Sequence, residues 1–270
     1  MKSKCKLLIF VFVIAALAAY VYFGLKESPV YRDYTIESEK LSNEVKIVVL
    51  ADMHSMDRDE NAEIIKMVQE RNPDCIFYVG DMFDASLPAK PIRELMHTLE
   101  NYKSYYVTGN HETSVSRAEI VAEVKNLTWL KNDTQTVEIG GNKISISGID
   151  DPYKNEDTWH DALEQCAKNK DDSLFTILLS HRPEFAEEYE KYGFDLTVCG
   201  HTHGGQVRIP PLINGIKTPN QGWFPKYGGG KYELSDDTMI VSRGLVINHR
   251  KRIYNPAEVV VLHLKPQEKN

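Results

Sequence analysis

The chain has 270 residues, 42% of them hydrophobic and 26% charged, enough apolar material for one large domain or two small ones. Its net charge of −7 and pI near 5.7 argue against a nucleic-acid binder, which would carry a basic face. The one basic cluster, Arg243 with His249, Arg250, Lys251 and Arg252, fits a solvated loop as well as a site for an anion.

The basic start MKSKCK leads into an uncharged run from Leu7 to Gly24. At ~1.5 Å per residue this run reaches the lower limit for crossing a ~30 Å hydrocarbon core. A signal peptide cleaved near Ala16-Leu17-Ala18 is the competing reading, but the apolar run continues through Tyr20, Val21, Tyr22 and Phe23, longer than a usual signal core. Residues 1–24 are therefore predicted to anchor the chain in a cell membrane. Lys2, Lys4 and Lys6 would stay cytoplasmic and the rest would lie outside, with secretion after cleavage as the alternative. Residues 25–44 read as a linker ending in an edge strand around Tyr34 to Ile36, and 45–270 as one compact domain. Cys75 and Cys199 sit in apolar runs and read as buried; with Cys166 they are odd in number and imply no disulfide framework.

Short β-branched runs follow at 45–51, 75–80, 104–109, 143–149, 174–180, 196–200, 239–244 and 259–264. Helix-like stretches lie between the earlier ones: Asn61 to Arg71, Pro91 to Tyr102, Arg117 to Asn126, Thr158 to Lys168 and Pro183 to Lys191. Alternation of this kind predicts an α/β domain, with the closely spaced later strands partly antiparallel.

Polar residues cluster just after five of these runs. ADMH follows the first, GDMFD the second, GNHE the third, SHRPE the fifth and GHTHGG the sixth. In open α/β sheets ligands bind beyond the carboxyl ends of strands, where these residues fall. Asp52 and His54, two apart, are predicted to leave one face of the first strand together. Taken singly, each motif has a plain structural explanation: Asp81 and Asp84 as helix caps, Asn110 as a turn residue, His181 as a loop histidine. Paired histidines at a glycine-bounded strand end gain little from packing, and five of the nine histidines lie in these motifs. Asp52, His54, Asp81, Asn110, His181, His201 and His203 form a mixed nitrogen and oxygen set suited to Mn, Fe or Zn. They are too many for one tetrahedral ion and enough for two ions sharing a carboxylate. Two divalent ions would leave the site positive and would acidify a bridging water toward hydroxide, which fits attack on an anionic phosphoester better than on a peptide bond.

The blocks DMH, GDMFD, GNHE, SH and GHTH, in this order, resemble the calcineurin-like metallophosphoesterase family. GIDDP, SHRPE, GHTHGGQV and VSRGL extend the likeness to its bacterial membrane-associated branch, similar to YkuE and YaeI. The resemblance implies a four-layer α/β/β/α sandwich of two mixed sheets and a binuclear metal centre. Asp52, His54, Asp81 and His203 would hold the first ion, and Asp81 would bridge to a second completed by Asn110, His181 and His201. His111 would donate a proton to the leaving oxygen, with Asp84 orienting its ring. Where the family's protein Ser/Thr phosphatases carry an arginine after the second Asp of GDxxD, this chain has Ala85, which disfavours a protein substrate. The twin-arginine export signal of some relatives is absent from MKSKCK.

The reaction class expected is hydrolysis of a phosphodiester, phosphomonoester or pyrophosphate. Arg208, Arg243 and Arg252 are candidates for gripping substrate phosphate. The long irregular segment Gln206 to Tyr232, with Trp223 and Phe224, borders the site. Together with the anchor it makes a lipid- or nucleotide-linked substrate plausible. The rival readings are a nuclease-type phosphodiesterase, opposed by the acidic charge, and a metal-bearing scaffold without chemistry, which would have no use for His111.

Overall fold

The computed structural model describes residues 2–25, 28–112, 121, 123–152, 155–235, 237–246 and 252–268, with residues 2–5 as backbone alone. The chain opens with helix α1 (Lys2–Gly24), then strand β1 (Val30–Ser38), which contains the expected edge-strand segment. Next come β2 (Val45–Leu50), α2 (Arg58–Arg71), β3 (Cys75–Val79), α3 (Lys90–Thr98), β4 (Lys103–Val107), β5 (Leu127–Trp129), β6 (Asp133–Ile139) and β7 (Asn142–Ile149). Helix α4 (Glu156–Asn169), β8 (Phe175–Ser180), the short α5 (Ala186–Glu190) and β9 (Leu196–Cys199) follow. The last part holds β10 (Lys217–Thr218), β11 (Gly222–Trp223), β12 (Gly230–Glu233), β13 (Thr238–Val241) and β14 (Glu258–Pro266).

Two six-stranded mixed sheets run β1-β14-β2-β3-β4-β5 and β12-β13-β9-β8-β7-β6. The parallel cores are β2-β3-β4 in the first and β7-β8-β9-β13 in the second, with antiparallel pairs β14-β2, β6-β7 and β12-β13. Their inner faces pack together through Ile47, Val49, Phe77 and Val79 on one side and Ile146, Ile177, Leu179 and Val198 on the other. The alternate residues Val48, Leu50, Ile76 and Tyr78 face outward onto Ile64, Val68, Leu95 and Met96 of α2 and α3. On the far side Leu178 and Cys199 meet Trp159, Leu163 and Tyr189 of α4 and α5. This is the four-layer α/β/β/α sandwich. Strands buried on both faces read as continuous apolar runs, which is why these eight stood out in the sequence.

Local chemistry sets the helix boundaries. Asp57 caps α2 by accepting from the backbone of Asp59 and Glu60, while Glu60 reaches back to the Asp57 amide. Asn72 ends the helix in the left-handed region at φ 44°, and Pro73 follows. The stretch from Pro183 begins as a 3-10 turn and becomes helical only at Ala186. Half of the predicted helix Arg117 to Asn126, residues 117–120 and 122, lies outside the described residues, as do His249, Arg250 and Lys251, and residues 123–126 form turns and a bend. The strands that composition did not single out are the polar edge strand β6, DTQTVEI, and the short β5 and β10–β12.

Candidate metal centre

The carboxyl ends of β2, β3, β4, β8 and β9 come together where the two sheets meet. Asp52 and His54 do not leave β2 by strand alternation, as the sequence suggested. The strand stops at Leu50, and both residues sit beyond it in the left-handed region, at φ 54° and 46°. Asp81, His201 and His203 share that conformation at φ 51°, 73° and 48°. Non-glycine residues held there cost free energy and persist where surrounding structure fixes them. Here the fixing contacts are backbone bonds between loops: Asp52 N to Gly80 O (3.1 Å), His54 N to Asp81 O (2.9 Å) and Gly200 N to His181 O (3.0 Å).

Three overlapping triads place their ligand atoms within 4.8 Å of one another: Asp52-His54-His203, His54-Asp81-His111 and Asp81-His181-His201. Asp81 stands at the middle, with Oδ2 3.7 Å from His54 Nε2 and 3.2 Å from His181 Nε2. Its other oxygen accepts from the His111 amide at 2.8 Å. Both oxygens of Asp52 accept from the His201 amide at 3.0 Å, and Oδ1 lies 3.6 Å from His203 Nε2. His54 Nε2 and His203 Nε2 are 3.2 Å apart. His181 Nδ1 meets the Val79 carbonyl at 2.8 Å, which turns Nε2 into the cluster.

Burial sets the protonation pattern. It pushes Asp52 up to about 7, while His54 is drawn down to about 4 and His201 falls as well. At His181 burial opposes the charge, but the Asp81 and Asp52 carboxylates outweigh it and hold the ring at about 10. Burial also opposes ionisation of Asp81, yet His181 and His54 keep it well below the usual carboxylate range. One buried carboxylate thus carries charge against one buried imidazolium. In addition, Asn110 Oδ1 and His201 Nε2 are buried with no hydrogen-bond partner. Such groups are costly unless something satisfies them, and an amide oxygen and an imidazole nitrogen beside two carboxylates fit a divalent cation of the Mn, Fe or Zn kind.

At the mouth, His54, Asp84, Ser86, Leu87, His111, His203 and Val246 line a cleft. His111 Nδ1 lies 3.3 Å from Asp84 Oδ2, so its Nε2 edge is the one free to face an incoming group. The Asp84 carboxyl is held low: partial burial raises it, but the Ser86 hydroxyl and amide, which donate at 2.6 and 2.8 Å, and then His111 outweigh that. The three candidate arginines do not line this cleft. Arg243 is buried, donating to Asn214 Oδ1 (2.8 Å) and Gly229 O (2.7 Å) beside Glu258. Arg252 is buried and donates to Val246 O and Arg243 O. Arg208 reaches toward Tyr254 O at 3.4 Å. Their guanidinium groups go to backbone carbonyls and loop residues because the segments around them form few strand ladders that would satisfy those carbonyls.

Several supporting residues were not assigned a role from sequence. Glu112, the last residue of GNHE, is buried and accepts from the amides of Asp81 (2.9 Å), Phe83 (2.9 Å) and Gly109 (2.6 Å), tying the β3 and β4 loops together. Burial and then the neighbouring Asp81 charge push it up to about 8. From GIDDP, Asp150 Oδ1 accepts from the Thr108 amide and the Trp129 indole, each at 2.9 Å, and Asp151 holds Arg182 through two bonds of 2.5 and 2.9 Å. Asp150 thus braces one sheet against the other, while Asp151 ties the β7 and β8 loops together beside His181. Gly244 of VSRGL, at φ 72°, leaves room for Asp52, whose Cβ would be 2.6 Å from any side chain placed there. A position just past a strand end, where the other polar motifs fall, was the available signal for each of these carboxylates.

The sequence pattern of the calcineurin-like phosphoesterase family matches residues 45–205. A Helicobacter pylori relative, an uncharacterized metallophosphoesterase, is 30% identical over 256 residues, which cover 90% of this chain and 64% of that protein. An Aquifex aeolicus metallophosphoesterase is 32% identical over 251 residues, 86% of this chain and 90% of that one. The Bacillus subtilis metallophosphoesterase YkuE is 29% identical over 234 residues, 82% of this chain and 79% of that one. The chain belongs to the calcineurin-like phosphoesterase family, and it spans about 64% of the length of its Helicobacter relative.

Proposed function

We propose that this calcineurin-like family member hydrolyses a phosphoester bond, with two divalent metal ions held between its sheets. Asp52, His54, Asp81 and His203 would hold one ion, and Asn110, His181 and His201 the other, with Asp81 shared. The observation that carries this reading is the place of Asp81, common to the triads His54-Asp81-His111 and Asp81-His181-His201. When bound, the ions supply an activated water and neutralise phosphoryl oxygens.

The chain's own residues do the rest. The Asp84 carboxylate, 3.3 Å from His111 Nδ1, orients the ring across the cleft. His111 is partly exposed, so its Nε2 can give a proton to the departing ester oxygen and recover it from solvent. Glu112 keeps the Asp81 and Asn110 loops in register. The buried walls exclude bulk water from Asp52, Asp81 and His181, which strengthens their electrostatic effect. A phosphodiester, monoester or pyrophosphate fits this chemistry, and Ala85 disfavours a phosphoprotein. The domain division follows the same reading: residues 1–24 as membrane anchor and 45–270 as the catalytic unit. Helix α1 is apolar from Lys6 to Gly24, with mean hydropathy 2.5, long enough to span a bilayer.

The test is turnover of bis(p-nitrophenyl) phosphate and p-nitrophenyl phosphate by the full chain, metal-stripped and then restored with Mn, Zn or Fe, beside His111→Ala. Turnover that needs metal, and that falls by ~10²–10⁴-fold in His111→Ala while bound metal is unchanged, is the expected outcome. Loss of metal along with activity would make His111 a ligand instead. Failure of the wild-type chain to bind metal would overturn the proposal.

A further inference from the structure

Among the described residues beyond Leu25, the exposed large hydrophobics are Leu212, Trp223 and Phe224, at 83%, 66% and 65% exposure. All three belong to the segment that leaves the metal centre after His203. That segment is bound to the foot of α1 through Tyr254. Gly24 O accepts from Tyr254 N at 2.7 Å, and the Tyr20 and Tyr254 rings lie 4.3 Å apart. Next to Tyr254, Ile253 pairs with the start of the segment: Arg208 N donates to Ile253 O (2.9 Å), and Ile253 N to Gln206 O (3.1 Å).

Short bonds carry the apolar side chains from there. Leu212 follows Arg208 by four residues, so its Cα lies within ~15 Å of that of Arg208 in any conformation. Ile216 N donates to Val207 O at 3.0 Å, and Phe224 N to Ile216 O at 2.8 Å, which fixes the Trp223-Phe224 pair to the same strip. The ammonium of Lys217 lies 5.4 Å from the centre of the Trp223 ring. Tryptophan and phenylalanine beside lysine, at the foot of an apolar helix, is the composition found at the level of lipid headgroups.

We infer that Leu212, Trp223 and Phe224 form a second contact with the lipid bilayer, next to the one made by α1. This rests on the reading of α1 as a membrane helix and does not depend on the hydrolytic reading. The surface dips into the headgroup region and fixes which way the cleft faces. Because the segment springs directly from the turn bearing His203, the phosphoester site is held close to the membrane surface. A substrate carried in the bilayer would then reach it without leaving the headgroup layer.

The experiment places the full chain in phosphatidylcholine–phosphatidylglycerol liposomes and reads tryptophan fluorescence. Trp159 is buried and Trp129 half-buried, so the difference between wild type and Trp223→Phe isolates the signal of Trp223. The expected result is a blue-shifted Trp223 component that is quenched when the lipids carry bromine near the head of the acyl chains. In Leu212→Ser/Phe224→Ser that quenching should fall, with Trp223 itself intact. A Trp223 component emitting as in water and insensitive to brominated lipid, in protein that resists carbonate extraction, overturns the second contact alone. Extraction of the protein by carbonate overturns the anchor and this inference together, whatever the model-ester assay gives.

Discussion

The two sheets contribute unequally to the metal centre. The β2, β3 and β4 loops bring both carboxylates of the triads, Asp52 and Asp81, with Asp84 and the supporting Glu112, together with Asn110, His54 and His111. The β8 and β9 loops bring the imidazoles His181, His201 and His203, with one acid, Glu184, whose Oε1 lies 3.7 Å from His201 Nε2. Alone, the first half would bury several acids against one another, which burial and mutual repulsion oppose. Alone, the second would bury three rings without the two carboxylates, Asp81 and Asp52, that do most to hold a charge on His181. Joined, Asp81 ionises against His181, and one rim of the sandwich becomes electrostatically coupled as well as packed. The lesson is that this interface is held by complementary chemistry at one end and by apolar packing along the rest.

The sharpest way to break that coupling is Asp81→Asn, which keeps the shape and removes the shared charge. Metal content and ester turnover should both fall to background, the largest effect expected, measurable by elemental analysis beside the assay. A smaller loss should follow Glu112→Gln. Its two oxygens face three amides, so any orientation of the new amide points an NH2 at a backbone N–H. The strain should cost ~1–3 kcal/mol in chemical denaturation and ~10–100-fold in metal affinity.

The pH dependence of the chelated protein sharpens the comparison without mutation. His181 is raised to about 10, so in the folded chain it keeps a proton that the unfolded chain gives up near 6.5. Its stabilisation is full below about 6.5 and is lost as pH rises toward about 10. Glu112, raised to about 8, acts in the same direction up to that pH. On the acid side His54, lowered to about 4, and Asp52, raised to about 7, pull against each other. The melting temperature of chelated protein should therefore be lower at pH 9 than at pH 7, by a few degrees. Metal binding at pH 7 should release protons, read as a buffer-dependent heat in calorimetry. A flat profile between pH 7 and 9 would mean that His181 is not charged against Asp81.

Most of the long elements and the family were legible in the residues alone. Strands packed on both faces must be apolar throughout, so runs such as VKIVVL and FTILLS announce themselves, and the Asp, Asn and His after them had no better explanation than a metal site. The apolar length of α1 was equally plain. What sequence reasoning missed was low in contrast: β6 alternates polar and β-branched residues at an edge, and β5 and β10–β12 are too short for a pattern. Other features depend on contacts between distant segments. The tertiary structure inserts β14, the last strand, between β1 and β2, a pairing across most of the chain that no local pattern encodes. It holds Asp52, His54, Asp81, His201 and His203 at positive φ, with bonds between different loops, whereas alternation along a strand had been the expectation for Asp52 and His54. It turns Arg243 and Arg252 inward onto carbonyls, since a guanidinium serves buried backbone as readily as phosphate, and composition cannot tell the two apart. Local pattern is set by each segment's own periodicity, whereas the site depends on contacts between segments far apart in the chain.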